Sequence, residues 1–223
     1  MKNILPIVLS LLFTFSIVGC KDKAEEANTG DAEAAAVSKN TSDKFTVSTS
    51  ESSIEWKGFK PTGSHNGTIS LESGVLKTED GKLQSGTFLI DMKSITVTDL
   101  ESGDGKEDLE AHLKGTVEGK EDHFFDVSKF PTAAFEITST DPSDDGYTKL
   151  SGNLTIKEQK HNISFPITIT NENDQMTIKS EPFTIDRTKW NVNYGSKSIF
   201  DNLGDRFIND DIQLQINIKA KKS

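Results

Sequence analysis

The sequence predicts an all-β domain, an eight-stranded antiparallel barrel with a short helix and loop inserted over one opening. From Phe45 onward, apolar and polar residues alternate with a period of two, the pattern of strands that have one buried face. Turn signals separate about eight such segments, and the lack of long helical patterns between them favours antiparallel neighbours. Eight strands with one apolar face each bury those faces best by closing into a barrel.

The first 19 residues predict a signal peptide. Lys2 precedes an apolar run from Ile4 to Val18, which is shorter than the about 20 residues of a membrane-spanning helix. The run ends in Ile17-Val18-Gly19-Cys20, which resembles the bacterial lipobox, where the cysteine is acylated and becomes the first mature residue. The alternative is an ordinary signal peptide with an incidental cysteine. Because the boundary, the small residue and the single cysteine coincide, we predict lipidation of Cys20.

Residues 20–43 are predicted to be the lipidated cysteine and a flexible tether. Their composition is rich in Ala, Glu, Lys, Asn and Thr, with Val37 as the single large aliphatic residue. Such a segment buries too little apolar surface to order itself. The barrel domain is predicted over residues 44–223. The anchor predicts a location in the bacterial cell envelope, facing the periplasm or exposed on the outer membrane.

The charge of the chain argues against a nucleic-acid partner. It has 25 basic and 35 acidic side chains, a net charge of −10. Nucleic acids and anionic lipid surfaces both attract basic patches. We therefore expect the chain to contact a membrane through its N-terminal lipid anchor and to bind no nucleic acid.

The strands follow in order along the rest of the chain. The final one shows the alternation best, because the apolar residues of 212–218 alternate with Gln, Gln and Asn. The apolar faces of the clearest strands consist of Phe88, Ile90 and Met92; Leu150, Gly152, Leu154 and Ile156; Ile163, Phe165, Ile167 and Ile169; Phe183 and Ile185; and Ile212, Leu214, Ile216 and Ile218.

One insertion interrupts the strands between Asp99 and Pro131. Scattered leucines among many charges over residues 99–113 predict a short helix, which leads into His123-Phe124-Phe125-Asp126. We expect this helix and loop to lie over one opening of the barrel.

No catalytic or metal motif stands out in the sequence. The four histidines show no ligand spacing, and each is expected at the surface or in a loop, with His65 kept as a candidate. The loop that begins at Asp141 resembles a calcium loop, but Gly152 stands where the bidentate Glu belongs. The GxSxG signature of a nucleophilic serine is absent. We therefore predict no enzyme, no metal site and no cofactor.

Six segments resemble, in order, the pattern of the YceI-like family, and the resemblance extends over nearly all of residues 45–220. They are Ser53-Ile54-Glu55-Trp56-Lys57-Gly58, His65-Asn66-Gly67-Thr68-Ile69, Gly86 to Ile95, Phe124 to Phe135, Gly152 to Lys157, and Phe183 to Thr188. The stretch from Asn193 to Asp205 resembles the lipoprotein members of that family.

The resemblance implies a lipocalin-like barrel, exported from the cytoplasm, whose apolar interior binds a polyisoprenoid or another long-chain amphiphile. The sequence departs from the family pattern in two places. Glu158 stands where a glycine usually precedes the next strand, and residues 115–120 look inserted ahead of the Phe124-Phe125 motif. The insertion is expected to remodel the mouth of the barrel, which leaves the identity of the ligand open.

Candidate ligand-binding residues follow from the matched segments and their parity. Those expected in the wall are Trp56, Ile69, Phe88, Ile90, Met92, Phe135, Phe183 and Ile185. Those expected at the mouth are Phe124, Phe125 and Phe130. Arg187 is a candidate for an anionic head group, or for an ion pair with Asp186 or another carboxylate. His65 is expected either to contact a head group or to occupy the end of a turn.

The leading hypothesis is a lipid-anchored protein that sequesters or carries a polyisoprenoid or similar lipid in its barrel. A second hypothesis is an enzyme that acts on a lipid, with His65 as acid or base. A third is a stress-protective or interaction protein whose barrel is plugged by its own aromatic side chains. The oligomeric state stays open, and a homodimer is one arrangement that the sequence allows.

Overall fold

The computed structural model describes residues 24–39, 42–143 and 146–223. The predicted signal peptide and Cys20 lie outside these residues. The described chain contains one α-helix, α1 (Lys106–Lys114), between β6 and β7. Its strands are β1 (Glu25–Glu26), β2 (Asn28–Asp31), β3 (Asp43–Val47), β4 (Ser53–Lys60), β5 (Gly63–Glu79), β6 (Lys82–Val97), β7 (Thr132–Pro142), β8 (Thr148–Ile156), β9 (Gln159–Glu172), β10 (Gln175–Ser180), β11 (Phe183–Asp186) and β12 (Asp211–Lys222).

Eight of these strands pair in a closed ring in the described part of the chain. The order is β4, β5, β6, β7, β8, β9, β10 and β12, and β12 returns to β4. Every pair in the ring is antiparallel. This confirms the predicted eight-stranded antiparallel barrel. The long strands β5 and β6 have register shifts near residues 68–73, which bend the wall.

The predicted alternation places the apolar residues inside the ring. In β9, Ile163, Phe165 and Ile167 are all at most 5% exposed, and residues between them face outward. Trp190 follows β11 and is fully buried, with its indole N–H donating to the Leu154 carbonyl at 3.0 Å. The buried side chains of the ring form one continuous core.

The insertion forms a helix and a loop, as predicted, with a later start. Residues 99–105 are turns rich in Ser, Gly and Asp, and α1 begins at Lys106. Glu110 fixes the helix to the ring, because its carboxylate accepts a hydrogen bond from the Val97 N–H at 2.9 Å. Gly115 ends the helix with φ 70°, and a Cβ there would lie 2.2 Å from the Glu121 carbonyl oxygen.

Residues 24–39, which we call the N-terminal strap, differ from the predicted flexible tether. Strand β1 pairs with β11 in parallel, and β2 pairs with β9 in antiparallel fashion. Strand β10 pairs with β9 only from Ile167 to Glu172 and ends at Ser180. The same edge of β9 is therefore free before Ile167 and can pair with another strand. The strap fills the seam between β9 and β11, and Ala27 within it is 4% exposed.

Hydrogen bonds to the backbone of the strap explain why so polar a segment is ordered. The side-chain amide of Asn153 accepts from the Glu33 N–H at 3.0 Å and donates to the Glu33 carbonyl at 2.7 Å. The Ala36 N–H donates to the Ile137 carbonyl at 2.9 Å. Val37 is 94% exposed, so apolar burial of that side chain plays no part. Apolar burial alone does not predict an ordered segment here, because the order comes from a free strand edge that accepts the strap.

None of the helices in the described ranges is long and apolar enough to cross a bilayer.

Candidate functional site

A cavity of about 410 Å³ lies inside one end of the barrel. We call this end the mouth; it is formed by the β4–β5 hairpin, α1 and the segment 191–210 that precedes β12. The volume falls in the usual range for a small-molecule site. Apolar side chains from β4, β5, β6, β8 and β12 supply most of its lining. The lid residues Leu109, His112 and Leu113 come from α1.

Five of the predicted wall residues line this cavity. They are Trp56, Ile69, Ile90, Met92 and Ile185. Their positions follow from the alternation, because each lies on the inward face of its strand.

The other three predicted wall residues, Phe88, Phe135 and Phe183, are buried but do not line the cavity. Phe88 lies two residues further from the mouth than Ile90, and Phe183 lies two residues further than Ile185. Together with Phe165 they form an aromatic floor. The ring centroids are 6.3 Å apart for Phe88–Phe135, 6.1 Å for Phe135–Phe165 and 4.1 Å for the stacked Phe165–Phe183 pair. The barrel is therefore open toward the mouth and filled below this floor.

Of the predicted mouth residues, Phe124 and Phe125 line the cavity. Phe130 is absent from the lining, and the Lys129 ammonium group lies 4.9 Å from the centroid of its ring. Phe130 is half-buried, but it lies outside the cavity lining.

Four rings from three segments meet at the mouth, and we call them the mouth cluster: His112, His123, Phe124 and Tyr194. The imidazoles of His112 and His123 share a hydrogen bond of 2.7 Å between Nε2 and Nδ1. Tyr194 stacks on His123 with centroids 4.0 Å apart and lies edge-on to His112 at 5.1 Å. Burial, with smaller contributions from His123 and Lys120, lowers the pKa of His112. The cluster connects α1 to the segment 191–210 over the cavity.

His65 lines the cavity from β5 and is paired with Asp99. The distance from its Nδ1 to the Asp99 carboxylate is 2.9 Å, and the Asn66 N–H donates to the other carboxylate oxygen at 3.0 Å. Burial alone would raise the pKa of Asp99, but the hydrogen bonds from Asn66 and His65 outweigh it and lower that pKa. An ionised Asp99 can only accept, so the proton of His65 lies on Nδ1.

Arg187 also borders the cavity, but backbone carbonyls occupy its guanidinium. It is 2% exposed and donates to the carbonyls of Val192, Ile208 and Asn209. Asp210 lies 3.8 Å away. Burial lowers the pKa of Arg187, although Asp210 and Asp186 oppose this effect. The geometry gives Arg187 the task of holding the segment 191–210 over the barrel.

Several lining residues were not among the sequence candidates. Leu154, Ile156, Ile212 and Leu214 carry the same alternation as the candidates and could have been found from it. His112 and Tyr194 could not, because their positions depend on how two irregular segments pack. His112 had been expected at the surface or in a loop, and it is instead a half-buried member of the mouth cluster.

The described residues contain no group of three or more His, Cys, Asp or Glu side chains that could hold a metal ion. The site is an apolar cavity with polar groups at one end, which suits an amphiphile with its tail inside and its head at the mouth.

The model of the YceI-like domain matches residues 45–220 of the sequence. The chain belongs to the YceI-like family. The N-terminal strap precedes the matched region. No curated protein matches the sequence.

The fold of this YceI-like chain is similar to that of several solved structures. BcnA of Burkholderia cenocepacia has a TM-score of 0.59 and 19% identity, covering 78% of this chain and 99% of BcnA. A polyisoprenoid binding domain from Saccharophagus degradans, implicated in plant cell wall breakdown, has a TM-score of 0.56 and 10% identity, covering 80% of this chain and 98% of that domain. At these identities the likeness concerns the fold.

Proposed function

We propose that this YceI-like protein is a lipid-anchored binding protein that sequesters or carries a polyisoprenoid or similar long-chain amphiphile. The observation that carries the proposal is the apolar cavity of about 410 Å³ under α1, inside the barrel. The polyisoprenoid binding domain from Saccharophagus degradans, which shares the fold, supports the choice of ligand class.

The lining accounts for the affinity of a hydrocarbon tail. Each CH₂ group that moves from water into such a cavity contributes about 0.8 kcal/mol before the cost of ordering the chain. The aromatic floor limits how deep the tail reaches. A longer tail must therefore fold back within the cavity or emerge through the mouth.

The lipobox-like end of the apolar run supports an acyl anchor on Cys20 and a location in the bacterial cell envelope. Triacylation supplies more than the two signals that stable membrane anchoring needs. Mass spectrometry of the intact protein extracted from membranes tests this: a triacylated N-terminal cysteine is expected, and an unmodified Cys20 would overturn it.

The first experiment identifies the bound lipid. A chain from Lys21 to Ser223 lacks the acylated cysteine and retains the strap and every ring strand. It is purified without detergent, its intact mass is measured under native conditions, and its organic extract is analysed by mass spectrometry. A stoichiometric prenyl or acyl species is expected.

A matched pair of variants assigns the lipid to the cavity. Ala133 lines the cavity, whereas its neighbour Ala134 lies on the opposite face of β7. Ala133→Phe is expected to abolish lipid retention, and Ala134→Phe to leave it intact, in variants whose thermal unfolding shows that they fold. A chain that carries no lipid and takes up no added polyisoprenoid would refute the proposal and favour the plugged barrel.

A second candidate function rests on the His65–Asp99 pair. A carboxylate that orients an imidazole beside a cavity is the usual arrangement of a general base. Under this alternative the protein would be an enzyme acting on a lipid. It predicts turnover of a prenyl or acyl ester that His65→Ala abolishes while lipid binding persists. The absence of turnover on every lipid class tested would eliminate it.

A further inference from the structure

The lining of the cavity has a charge opposite to that of the whole chain. The chain carries a net charge of −10, yet no Asp or Glu within the described residues lines the cavity. Five basic side chains do: Lys60, His65, His112, Arg187 and Arg206. The polar end of the cavity is therefore electropositive in an otherwise acidic protein.

Three of these five side chains already have partners in the protein, and one of them is His65, whose Nδ1 pairs with Asp99. Arg187 donates to three backbone carbonyls, and His112 shares its hydrogen bond with His123. Lys60 and Arg206 are exposed, and neither forms an ion pair or a side-chain hydrogen bond with any part of the chain that the structure describes. These two cations at the rim of the cavity are available to a ligand.

Three carboxylates near the mouth, those of Asp99, Asp122 and Asp210, have other partners. Asp99 accepts from His65 and Asn66. Asp122 lies 2.6 Å from the ammonium group of Lys157, and Asp210 accepts from the Ser198 hydroxyl at 2.6 Å. None of these four contacts involves Lys60 or Arg206.

Strand pairing brings the free cations to the same side of the mouth. Gly58 pairs across β4 with His65 on β5 and with Ile212 on β12. The Asn209 N–H donates to the Phe59 carbonyl at 2.8 Å, so the segment that contains Arg206 runs beside the end of β4. Lys60 follows Phe59 directly. On β5, His65 pairs with Gly58 and so lies beside the end of β4, with the proton on Nδ1 directed at Asp99 and no partner for Nε2 among the described residues.

We infer that Lys60 and Arg206, with His65 beside them, bind an anionic head group, a phosphate or a carboxylate, of the amphiphile whose tail occupies the cavity. This inference rests on the proposed function. A guanidinium binds phosphate or carboxylate oxygens in bidentate fashion, and an ammonium group adds a point charge. A neutral alcohol head gains neither interaction, so the site selects anionic amphiphiles over neutral ones of equal tail length.

The test compares geranylgeranyl phosphate with geranylgeraniol, which share one tail. Binding to the chain from Lys21 to Ser223 is followed through tryptophan fluorescence, since Trp56 lines the cavity. Because ion pairs at exposed side chains are weak, the phosphate is expected to bind only about five- to tenfold more tightly than the alcohol at low salt. Added salt is expected to reduce this ratio.

Two double variants test whether Lys60 and Arg206 cause the preference for the phosphate over the alcohol. Lys60→Gln with Arg206→Gln is expected to bring the affinity ratio close to one while the alcohol binds as before. The control, Lys77→Gln with Lys149→Gln, removes two exposed lysines from β5 and β8 away from the mouth and is expected to preserve the ratio.

The outcomes separate the two proposals. Equal affinity for the phosphate and the alcohol, or a ratio that survives the Lys60 and Arg206 changes, would overturn the head-group inference and leave the carrier function in place. Failure of both amphiphiles to bind would refute the carrier function itself. Inorganic phosphate that binds alone as tightly as geranylgeranyl phosphate would show a site for the free anion and overturn the assignment to a lipid head.

Discussion

Arg187 stabilises the mouth through its contacts with main-chain oxygens. Its guanidinium is 2% exposed and donates to three carbonyls of the segment 191–210. This segment connects β11 to β12 without forming a strand, so the hydrogen bonds from this one side chain hold it in place.

We expect Arg187→Gln to lower the free energy of unfolding by about 3 to 5 kcal/mol, because it leaves Asp210 without its buried cation and the carbonyls without donors. Arg187→Lys is expected to recover part of this loss, since an ammonium group keeps the charge but not the planar fork. Denaturant unfolding measures both. Arg206→Gln, which removes an exposed and unpaired arginine, serves as the control; a loss as large as that of Arg187→Gln would contradict this account.

Gly67 and Gly58 provide a matched test of packing in the wall. A Cβ at Gly67 would lie 1.7 Å from the Thr96 carbonyl oxygen, whereas a Cβ at Gly58 would meet nothing within 4 Å. Gly67→Ala is therefore expected to cost about 3 kcal/mol or more, because the backbone of β6 must move. Gly58→Ala is expected to leave the melting temperature nearly unchanged. Similar melting temperatures for the two variants would contradict this prediction and show that the backbone of β6 moves at little cost in stability.

At the scale of elements, the N-terminal strap acts as part of the wall. It pairs with β9 and β11 and is held by the side chain of Asn153. A chain that begins at Ser42 would leave those strand edges exposed.

We expect removal of residues 24–39 to destabilise the barrel, and we expect Asn153→Ala to cost more when the strap is present, since without the strap Asn153 keeps only the hydrogen bond from the Asn162 amide at 3.1 Å. In the full-length chain the substitution removes two hydrogen bonds to Glu33, which together contribute about 1 to 3 kcal/mol. A double-mutant cycle on the unfolding free energy measures this coupling. Strictly additive effects would mean that the strap does not engage Asn153 in solution.

The mouth cluster predicts a dependence of stability on pH. Because the pKa of His112 is lowered in the folded protein, its contribution is fully present above its ordinary value near 6.5 and is lost as the pH falls through the lowered pKa. The melting temperature should therefore fall between pH 7.5 and pH 5.5.

His112→Phe keeps a ring against Phe124 and Tyr194 but does not titrate, so its melting temperature should fall less over this interval. The carboxyl groups whose pKa is lowered, such as Glu107 at about 2, lose their contributions at lower pH and do not confuse the comparison. Identical pH profiles for the wild type and His112→Phe would contradict the prediction.

The sequence predicted those elements whose determining residues lie close together in the chain and missed those that depend on distant contacts. Strands of the ring were found because alternation is written in consecutive residues, as in Ile163, Phe165 and Ile167. The strap was missed because its order depends on a free edge of β9, more than a hundred residues away in the chain. The mouth cluster was missed for the same reason, since His112 and Tyr194 belong to irregular segments.

At the scale of the whole molecule, the barrel interior is divided into a cavity at the mouth and a filled part below the aromatic floor. This division limits the size of a ligand that the cavity can hold. Alternation predicted which side chains point inward, but not that Phe88, Phe135 and Phe183 would join Phe165 in a floor. Whether inward aromatic rings fill a barrel or surround a cavity depends on their rotamers and contacts across the ring, which the parity of a strand does not specify.

We expect Phe165→Ala to deepen the cavity and to shift the preference toward longer prenyl tails. The change removes the ring stacked on Phe183 and should cost about 3 to 5 kcal/mol of stability. Relative affinities for prenyl alcohols of increasing length measure the shift. Leu76→Ala, a buried change outside the cavity lining, is the control; equal length preferences in both variants would contradict a floor at Phe165.

The strap also decides how far an acylated chain reaches. A fully extended chain spans about 3.5 Å per residue, so the step from Cys20 to Glu25 covers at most about 17 Å. With the following residues built into the wall, a barrel anchored as proposed stays close to the bilayer that holds its acyl chains. Such a protein would exchange its cargo with that one bilayer, and delivery to a second membrane would require a separate shuttle or direct apposition of the two membranes.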